Sequence, residues 1–308
     1  MSRTPDEGRG GGRRPGPNGR AELGRPAPWR SLLFFPATRP DRYEKALVSG
    51  ADLVCADLED AVGPGDKDSA RERVVGLLGG GGWLPRRASI RLNEAESEEG
   101  RRDLDALIDG AKQTAGPMTL VLPKVSGADV VEEVGARLAD AGIEAEIVAM
   151  IETAWGLEQA PAIARAPRLV ALFLGAVDLA TELGCAVEWD ALLYARSRVV
   201  HAAALGGVQS IDVPFLDVHD HAGLEDETRA VARLGFTGKA AIHPGQIESI
   251  HRALAPSATE VQRARATLDA YERSEGGVSV LDGRMVDRPV VEAARRILAR
   301  ERQVSDDE

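Results

Sequence analysis

The strongest constraint on the fold is an alternation of short apolar runs with amphipathic segments, which repeats eight times between residues 30 and 255. The apolar runs are Leu32–Phe35, Leu53–Asp57, Ser89–Leu92, Thr119–Leu122, Ile147–Ile151, Leu169–Leu174, Val208–Val213 and Ala240–Ile242. Helical spacing marks most of the intervening segments, including Arg42–Val48, Ser69–Leu78, Arg101–Ile108, Asp129–Ala141, Leu192–Leu205 and Gly223–Leu234. Continuous apolar strands that alternate with helices indicate a parallel sheet buried on both faces. Eight such units predict a (β/α)8 TIM barrel over residues 30–255.

A doubly wound open sheet is the alternative, and it usually carries a G-x-G-x-x-G loop after its first strand. The sequence has no such loop there, so the closed barrel is preferred. Residues 256–308 lie outside the eightfold pattern. They predict a helix over Ala258–Arg273, a strand pair around Val278–Leu281 and Arg284–Val286, and a final helix near Pro289. Such a small extension does not fold alone, so we expect it to pack on the barrel or on a neighbouring subunit.

Composition limits the partners of the chain. Residues 1–29 are rich in Gly, Pro and Arg and poor in apolar residues, which predicts a disordered tail. Seven Arg give residues 1–30 a net charge of +4 within a total of −11, so the rest is strongly acidic and should repel nucleic acid. Two cysteines exclude a disulfide framework and argue against structural zinc. Without a membrane-length apolar run or an apolar signal core, we expect a cytoplasmic protein with no membrane contact.

Polar side chains follow several of the apolar runs, at the end of a barrel where chemistry is normally found. Glu152 follows the fifth run, and Asp178 lies just beyond the sixth. Neighbouring carboxylates repel unless a cation lies between them, and Mg²⁺ prefers oxygen ligands while taking only one or two protein carboxylates. The pair therefore predicts a magnesium site, in which Mn²⁺ could substitute. The alternative is that each residue caps the helix that follows it.

Two basic residues occupy corresponding strand ends. Arg91 lies in the third run, and a buried guanidinium needs an anionic partner. That partner is either a substrate carboxylate or enolate oxygen, or an internal salt bridge to Glu59 or Asp60. Lys124 follows the fourth run, where a Schiff-base role is conceivable. Because a metal makes that nucleophile redundant, we assign Lys124 to structure or substrate positioning.

Two histidine-containing segments are assigned to structure. His243 precedes Pro244, which is typical of a strand-to-helix turn. The cluster of His219, Asp220 and His221 precedes a helix, where such residues commonly act as caps.

Eight short segments, in order from Arg30 to about Leu298, follow the pattern of a known family. They are Arg30-Ser-Leu-Leu-Phe-Phe-Pro36, Asp57-Leu-Glu-Asp-Ala-Val62, Ile90-Arg-Leu-Asn93, Leu122-Pro-Lys124, Ile151-Glu-Thr-Ala154, Gly175-Ala-Val-Asp-Leu179, Ala241-Ile-His-Pro-Gly-Gln246 and Asp282-Gly-Arg-Met-Val-Asp-Arg-Pro289. Together they resemble the citrate lyase beta-subunit-like branch of the HpcH/HpaI aldolase superfamily. The resemblance implies a magnesium-dependent carbon–carbon lyase acting on CoA thioesters of 3-hydroxy acids, such as malyl-CoA, citramalyl-CoA or citryl thioesters.

The resemblance also implies roles for single residues. Glu152 and Asp178 match the metal ligands, with Glu152 also at the substrate, and Arg91 matches the substrate-binding arginine. Lys45 falls where the family has a lysine that contacts CoA, and the basic segment from Arg39 to Lys45 is implied to supply positive charge for the phosphates. Asp287 aligns with a catalytic aspartate that reaches a neighbouring subunit's site in relatives, which implies a homo-oligomer, a trimer or hexamer. Many relatives carry an acidic residue where this chain has Val177, which bears on the identity of the substrate.

Three other functions remain open from the sequence. The chain could be the lyase subunit of a citrate lyase complex with its thioester on an acyl carrier protein, or an aldolase acting on free pyruvate-type acids. It could also be a non-catalytic barrel that binds a CoA thioester. Lys45 and Asp287 argue against the free-acid aldolase, because a small acid needs neither residue. A binding protein, in turn, has no need for a metal together with a proton-transfer group.

Overall fold

A computed structural model describes residues 28–79, 87–111, 117–274 and 277–305 and has a closed barrel of eight parallel strands at its centre. The strands are β1 (Ser31–Pro36), β2 (Leu53–Asp57), β3 (Ala88–Arg91), β4 (Met118–Leu122), β5 (Ala145–Ile151), β6 (Leu169–Leu174), β7 (Gln209–Asp212) and β8 (Gly238–Ala241). Each strand pairs with its successor, and β8 closes the barrel on β1, where Leu32 lies opposite Ala240. The predicted (β/α)8 barrel is confirmed, and the open sheet is excluded.

Helices surround the barrel and continue into the C-terminal extension. They are α1 (Asp41–Val48), α2 (Lys67–Gly79), α3 (Glu98–Ala111), α4 (Ala128–Asp140), α5 (Ala154–Ile163), α6 (Ala176–Leu183), α7 (Trp189–Gly206), α8 (His221–Leu234), α9 (Ile247–Leu254), α10 (Ala258–Arg273) and α11 (Arg288–Ser305). The sequence did not specify α5, α6 or α9. Helix α5 is mostly apolar and lacks a clear helical period, and only Gly175 separates α6 from β6. No helix within the described ranges is long and apolar enough to cross a bilayer.

Side chains fill both faces of the barrel wall. The inner layer consists of Trp29, Leu32, Leu53, Cys55, Val121, Val148, Met150, Ala171, Phe173, Ile211 and Ala240. Outward-facing strand residues pack against the helices in a larger cluster, to which Val54, Ile90 and Leu120 belong. Because both faces are buried, the strands appear in the sequence as continuous apolar runs. The prediction placed Trp29 in the tail, but it is buried here; residues 1–27 of that tail lie outside the described residues.

The two cysteines should react very differently with a thiol reagent. Cys55 is fully buried in the barrel, and burial raises the pKa of its thiol to about 12, whereas Cys185 is partly exposed. Since the thiolate is the reactive form, we expect about one thiol per native chain to react with Ellman's reagent at pH 8 and two after denaturation. Rapid reaction of both thiols in the native protein, at equal rates, would contradict this packing.

The C-terminal extension consists of two helices and a hairpin. Helices α10 and α11 pack against each other, and the strands β9 (Ser279–Leu281) and β10 (Arg284–Val286) form an antiparallel hairpin. Val280 and Met285 on this hairpin are exposed. The Gln303 side chain donates a 2.7 Å hydrogen bond to the Pro28 carbonyl, which links α11 to the segment before β1. That the extension packs on the barrel or on a neighbouring subunit stays a prediction.

Candidate active site

A cavity of about 500 Å³ opens at the C-terminal ends of the barrel strands. Its lining combines apolar and charged side chains: Phe34, Phe35, Pro36, Arg42, Asp57, Asp60, Ala61, Arg91, Met150, Glu152, Phe173, Gly175, Ala176, Val177, Asp178, Val213, Pro214 and Ile242. The rings of Phe34 and Phe173 stack with centroids 5.8 Å apart and form an apolar wall. The cavity therefore has the location and mixed lining expected of an active site in a (β/α)8 barrel.

Glu152 and Asp178 both line this cavity, as the sequence predicted. Glu152 directly follows β5 and is 2% exposed, and its Oε1 accepts a 2.7 Å hydrogen bond from the backbone N–H of Lys124. The cap of α5 is Thr153, whose hydroxyl accepts a bond from Gly156 N–H, so Glu152 is not a helix cap. Asp178 lies in the first turn of α6, where the helix dipole also favours its charge.

The pKa of Glu152 is raised to about 8. Burial is the largest cause, followed by repulsion from Glu59, and Asp178 raises the pKa further. The Lys124 backbone N–H and the Arg91 charge act in the opposite direction. Repulsion between neighbouring carboxylates thus contributes to the raised pKa of Glu152.

Gly175, between β6 and α6, is required by the position of the Glu152 side chain. A Cβ at residue 175 would lie 2.3 Å from Glu152 Oε2 and 2.5 Å from its Cβ. The backbone of Gly175 has φ of −88°, so the constraint is space rather than conformation. The glycine therefore leaves the second carboxylate oxygen of Glu152 room to face the cavity.

Replacing Gly175 by Ala should displace Glu152 and weaken divalent-metal binding by about tenfold or more, the range found when groups that orient metal ligands are lost. Isothermal titration with Mg²⁺ measures this effect directly. The matched control is Gly76→Ala in α2, where an added Cβ meets nothing within 4 Å. Equal metal affinity in both variants would show that Gly175 does not protect the Glu152 position.

Arg91 is buried and forms an internal salt bridge. This was one of the two alternatives that the sequence left open for its anionic partner. Its Nε and Nη2 donate to the two carboxylate oxygens of Asp57 at 2.7 and 2.6 Å. Its Nη1 lies 2.9 Å from Glu59 and 3.4 Å from Asp60, which is largely exposed. The guanidinium also lies over the Phe34 ring, 5.1 Å from the centroid. Asp57 is the main partner, although the sequence pointed only to Glu59 and Asp60.

Glu59 forms the buried edge of this charge cluster. Burial is the largest cause that raises its pKa to about 7, and Asp60 adds to the rise while Arg91 and Lys124 oppose it. Lys124 Nζ lies 3.3 Å from Glu59 Oε1. The Lys124 backbone has φ of +50°, an unusual value for a residue with a side chain, and it directs the N–H to Glu152. Lys124 therefore positions two carboxylates, in line with its assignment to structure.

The donor set fits a hard divalent ion. Within the described ranges, no three or more His, Cys, Asp or Glu side chains cluster so that they could hold a metal. Magnesium needs no such cluster, because it commonly binds one or two carboxylates and keeps water or substrate oxygens as its other ligands. The pair Glu152 and Asp178, with the raised pKa of Glu152 and the space above Gly175, meets that requirement.

The remaining candidates lie away from this cavity lining. Lys45 is exposed on α1, and Asp287 lies between β10 and α11, where its Oδ1 accepts a 3.3 Å bond from Val290 N–H. Neither is among the described residues that line the cavity. The histidine segments are structural, as expected: Asp220 caps α8, and His243 caps a short turn through Gly245 N–H.

The closed barrel and the acidic pair at its C-terminal mouth define a (β/α)8-barrel enzyme. Residues 30–244 match the family described as HpcH/HpaI aldolase/citrate lyase. The chain belongs to this family. The resemblance of its motifs is thereby confirmed, and so is the prediction of a lyase.

Relatives with assigned names cover nearly the whole chain. Citrate lyase subunit beta of Leuconostoc mesenteroides subsp. cremoris is 33% identical over 282 residues, which is 87% of this chain and 92% of the relative. A (3S)-malyl-CoA thioesterase of Cereibacter sphaeroides is 34% identical over 278 residues, 89% of this chain and 94% of the relative. The structure of CitE from Mycobacterium tuberculosis with magnesium, acetoacetate and coenzyme A is 35% identical, with a TM-score of 0.77, covering 89% of this chain and 98% of CitE.

Proposed function

We propose that this protein is a magnesium-dependent lyase that cleaves a 3-hydroxyacyl-CoA thioester into acetyl-CoA and a 2-oxo acid, or catalyses the reverse condensation. The observation that carries the proposal is the pair Glu152 and Asp178 in one cavity with Arg91, at the C-terminal mouth of the barrel. The CitE structure with magnesium and coenzyme A supports both ligands for this chain.

Glu152 and Asp178 are the residues that would hold the ion. When bound, Mg²⁺ supplies Lewis-acid polarisation of substrate oxygens and fixes their orientation. Glu152 is placed for this role by the Lys124 N–H on one oxygen and by Gly175, which leaves space at the other. The Phe34 and Phe173 wall makes one side of the cavity apolar, and electrostatic interactions are stronger beside an apolar surface than in water.

In the cleavage direction the bond between C2 and C3 of the hydroxyacyl thioester breaks. Its electron pair passes to the thioester enolate, the hydroxyl proton passes to water, and C3 becomes the ketone or aldehyde carbon of the oxo acid, while the enolate carbon takes up a proton. Arg91 Nη1 is suited to hydrogen-bond an oxygen that becomes negative, because its 3.4 Å contact with the exposed Asp60 is readily exchanged for a substrate oxygen.

Asp287 completes the reaction in this proposal by moving the proton at the acetyl carbon. Since Asp287 does not line the cavity of its own chain, we propose that it serves the cavity of a neighbouring subunit in a homo-oligomer. The exposed apolar residues Val280 and Met285 on the adjacent hairpin are consistent with contact to another subunit. Exposed Lys45 would contact the CoA moiety outside the cavity.

The test is to incubate the pure protein with Mg²⁺ and a panel of malyl-CoA, citramalyl-CoA and citryl-CoA, and to follow acetyl-CoA release. Cleavage of at least one thioester that stops with EDTA and returns with excess Mg²⁺ is the expected result. A parallel assay with a citryl thioester on an acyl carrier protein separates the citrate-lyase-subunit alternative. Release that is unaffected by EDTA would contradict the metal-dependent mechanism.

Magnesium should stabilise the protein more at alkaline than at acidic pH. The pKa of Glu152 is about 8 and that of Glu59 about 7, both above the ordinary value of 4.5. A raised carboxyl pKa means that the folded chain binds more protons than the unfolded chain between these values, so stability without metal falls as pH rises from about 5 to 8. Binding of Mg²⁺ requires ionised carboxylates and reverses that loss. Melting curves with EDTA or Mg²⁺ should therefore differ more at pH 8.5 than at pH 6; an equal difference would contradict the assignment.

A further inference from the structure

Two basic side chains, Arg42 and Arg91, line the cavity. Neighbouring carboxylates offset the charge of Arg91 but not that of Arg42. Arg91 makes a two-pronged salt bridge to Asp57, and its Nη1 lies 2.9 Å from Glu59. Carboxylates thus more than compensate the Arg91 charge. Arg91 can donate a hydrogen bond to a ligand oxygen, but it adds little net attraction for an anion.

Arg42 lies in a different electrostatic environment. Its guanidinium makes no salt bridge to any residue in the described ranges, and its backbone N–H donates to the Arg39 carbonyl at 2.9 Å. The neighbouring carboxylate of Asp41 is taken by Arg39, through two hydrogen bonds of 2.9 Å. This pairing also lowers the pKa of Asp41. Arg42 therefore faces the cavity as a cation with its donors available.

The position of Arg42 in α1 opposes the usual helix electrostatics. The first turn of a helix carries partial positive charge and favours acidic residues, and α1 places Asp41 and Glu44 there accordingly. A cation at this point without a carboxylate partner gains nothing from the fold. Local rules are typically broken in this way where a residue serves a ligand.

We propose that Arg42 binds a second carboxylate on the acyl part of the substrate and so favours substrates with two free carboxylates over those with one. The inference rests on the proposed function, in which Glu152 and Asp178 fix the reacting end of the acyl group through the metal. Citryl thioesters carry two free carboxylates, whereas malyl and citramalyl thioesters carry one. A guanidinium binds a carboxylate in a two-pronged contact, which suits this discrimination.

The choice of a carboxylate over a CoA phosphate follows from which residues of α1 face the cavity. Arg42 lines it together with Glu152 and Asp178, where the acyl group has to lie. Both residues are exposed, but Lys45, almost one turn further along the helix, does not line the cavity, so it is better placed for phosphates outside. Arg42 and Lys45 thus divide α1 between the acyl end and the CoA end of one ligand.

The experiment compares two 2-oxo acids as probes, oxaloacetate with two carboxylates and pyruvate with one, by calorimetric titration in the presence of Mg²⁺. We expect the unmodified protein to bind oxaloacetate about tenfold or more tightly than pyruvate, and Arg42→Gln to reduce that ratio to near one. Pyruvate affinity should change by less than about twofold. Arg42→Lys should retain part of the preference, because the charge remains and the two-pronged geometry is lost.

Lys45→Gln is the matched control on the same helix and should leave the ratio of the two acids unchanged while weakening the binding of free CoA. If Arg42→Gln binds oxaloacetate more tightly than pyruvate by the same ratio as the unmodified protein, the inference is overturned. So would a loss of CoA affinity in that variant with the ratio intact, because Arg42 would then bind phosphate. If magnesium-loaded protein binds neither acid, the proposed function fails together with the inference; binding of both acids without an effect of Arg42 overturns the inference alone.

Discussion

Replacing Glu152 by Gln should reduce thioester cleavage by about 10³-fold or more, because loss of the metal removes several kcal/mol of transition-state stabilisation. Gln keeps the volume of the side chain but removes the charge that binds the ion. The Lys124 N–H that now bonds Glu152 Oε1 can bond the amide oxygen of Gln, so the local structure should persist. Steady-state rates with the best thioester of the panel, combined with Mg²⁺ titration, measure both effects.

A buried carboxylate with a raised pKa destabilises the folded chain when it ionises, so Glu152→Gln should also raise the melting temperature in EDTA at pH 8.5. Lower activity together with higher stability separates a functional residue from a structural one. Glu158→Gln, on the exposed side of α5, is the matched control and should change neither quantity appreciably. If Glu152→Gln kept its metal affinity and rate, Glu152 could not be a ligand.

The barrel was predictable because its strands are buried on both faces. The predicted and observed bounds are the same for β2 (Leu53–Asp57) and β6 (Leu169–Leu174). All their residues are apolar except Asp57, which is the last residue of β2. Helix α6 was harder to see. It begins at Ala176 beside the cavity, and only Gly175 separates it from β6, so no loop in the sequence marks its start.

Single strand-end residues were also predictable, but their pairings were not. Glu152 and Asp178 could be placed at one face because parallel strands end together. The two-pronged bond between Arg91 and Asp57 depends on the register of β2 against β3, in which these residues lie directly opposite each other. Gly175 stood in one of the family-like segments, but the reason for a glycine there was not visible, because it arises only from the position of Glu152 on the adjacent strand end. The sequence placed Arg42 and Lys45 together in one basic segment. The structure distinguishes them, because only Arg42 lines the cavity.

Asp287→Asn should abolish turnover while leaving Mg²⁺ binding unchanged, because the amide cannot move the proton at the acetyl carbon. The side-chain oxygen that accepts from Val290 N–H is kept in Asn, so the start of α11 should remain intact. The expected loss is about 10²- to 10⁴-fold, the usual contribution of general acid–base catalysis. Calorimetry with Mg²⁺ and the rate of acetyl-CoA release together test the assignment, and a fully active variant would refute it.

Mixing the two inactive variants tests where Asp287 acts. An oligomer assembled from Asp287→Asn and Glu152→Gln chains contains some cavities whose metal ligands come from the first chain and whose Asp287 comes from the second. If Asp287 serves a neighbouring subunit, random assembly at equal amounts makes about one cavity in four complete, so about a quarter of the normal activity should return. If Asp287 serves its own chain, every cavity lacks one group and the mixture stays inactive. Mixing each variant with itself under the same dissociation and reassociation protocol is the control, because it excludes recovery caused by the protocol.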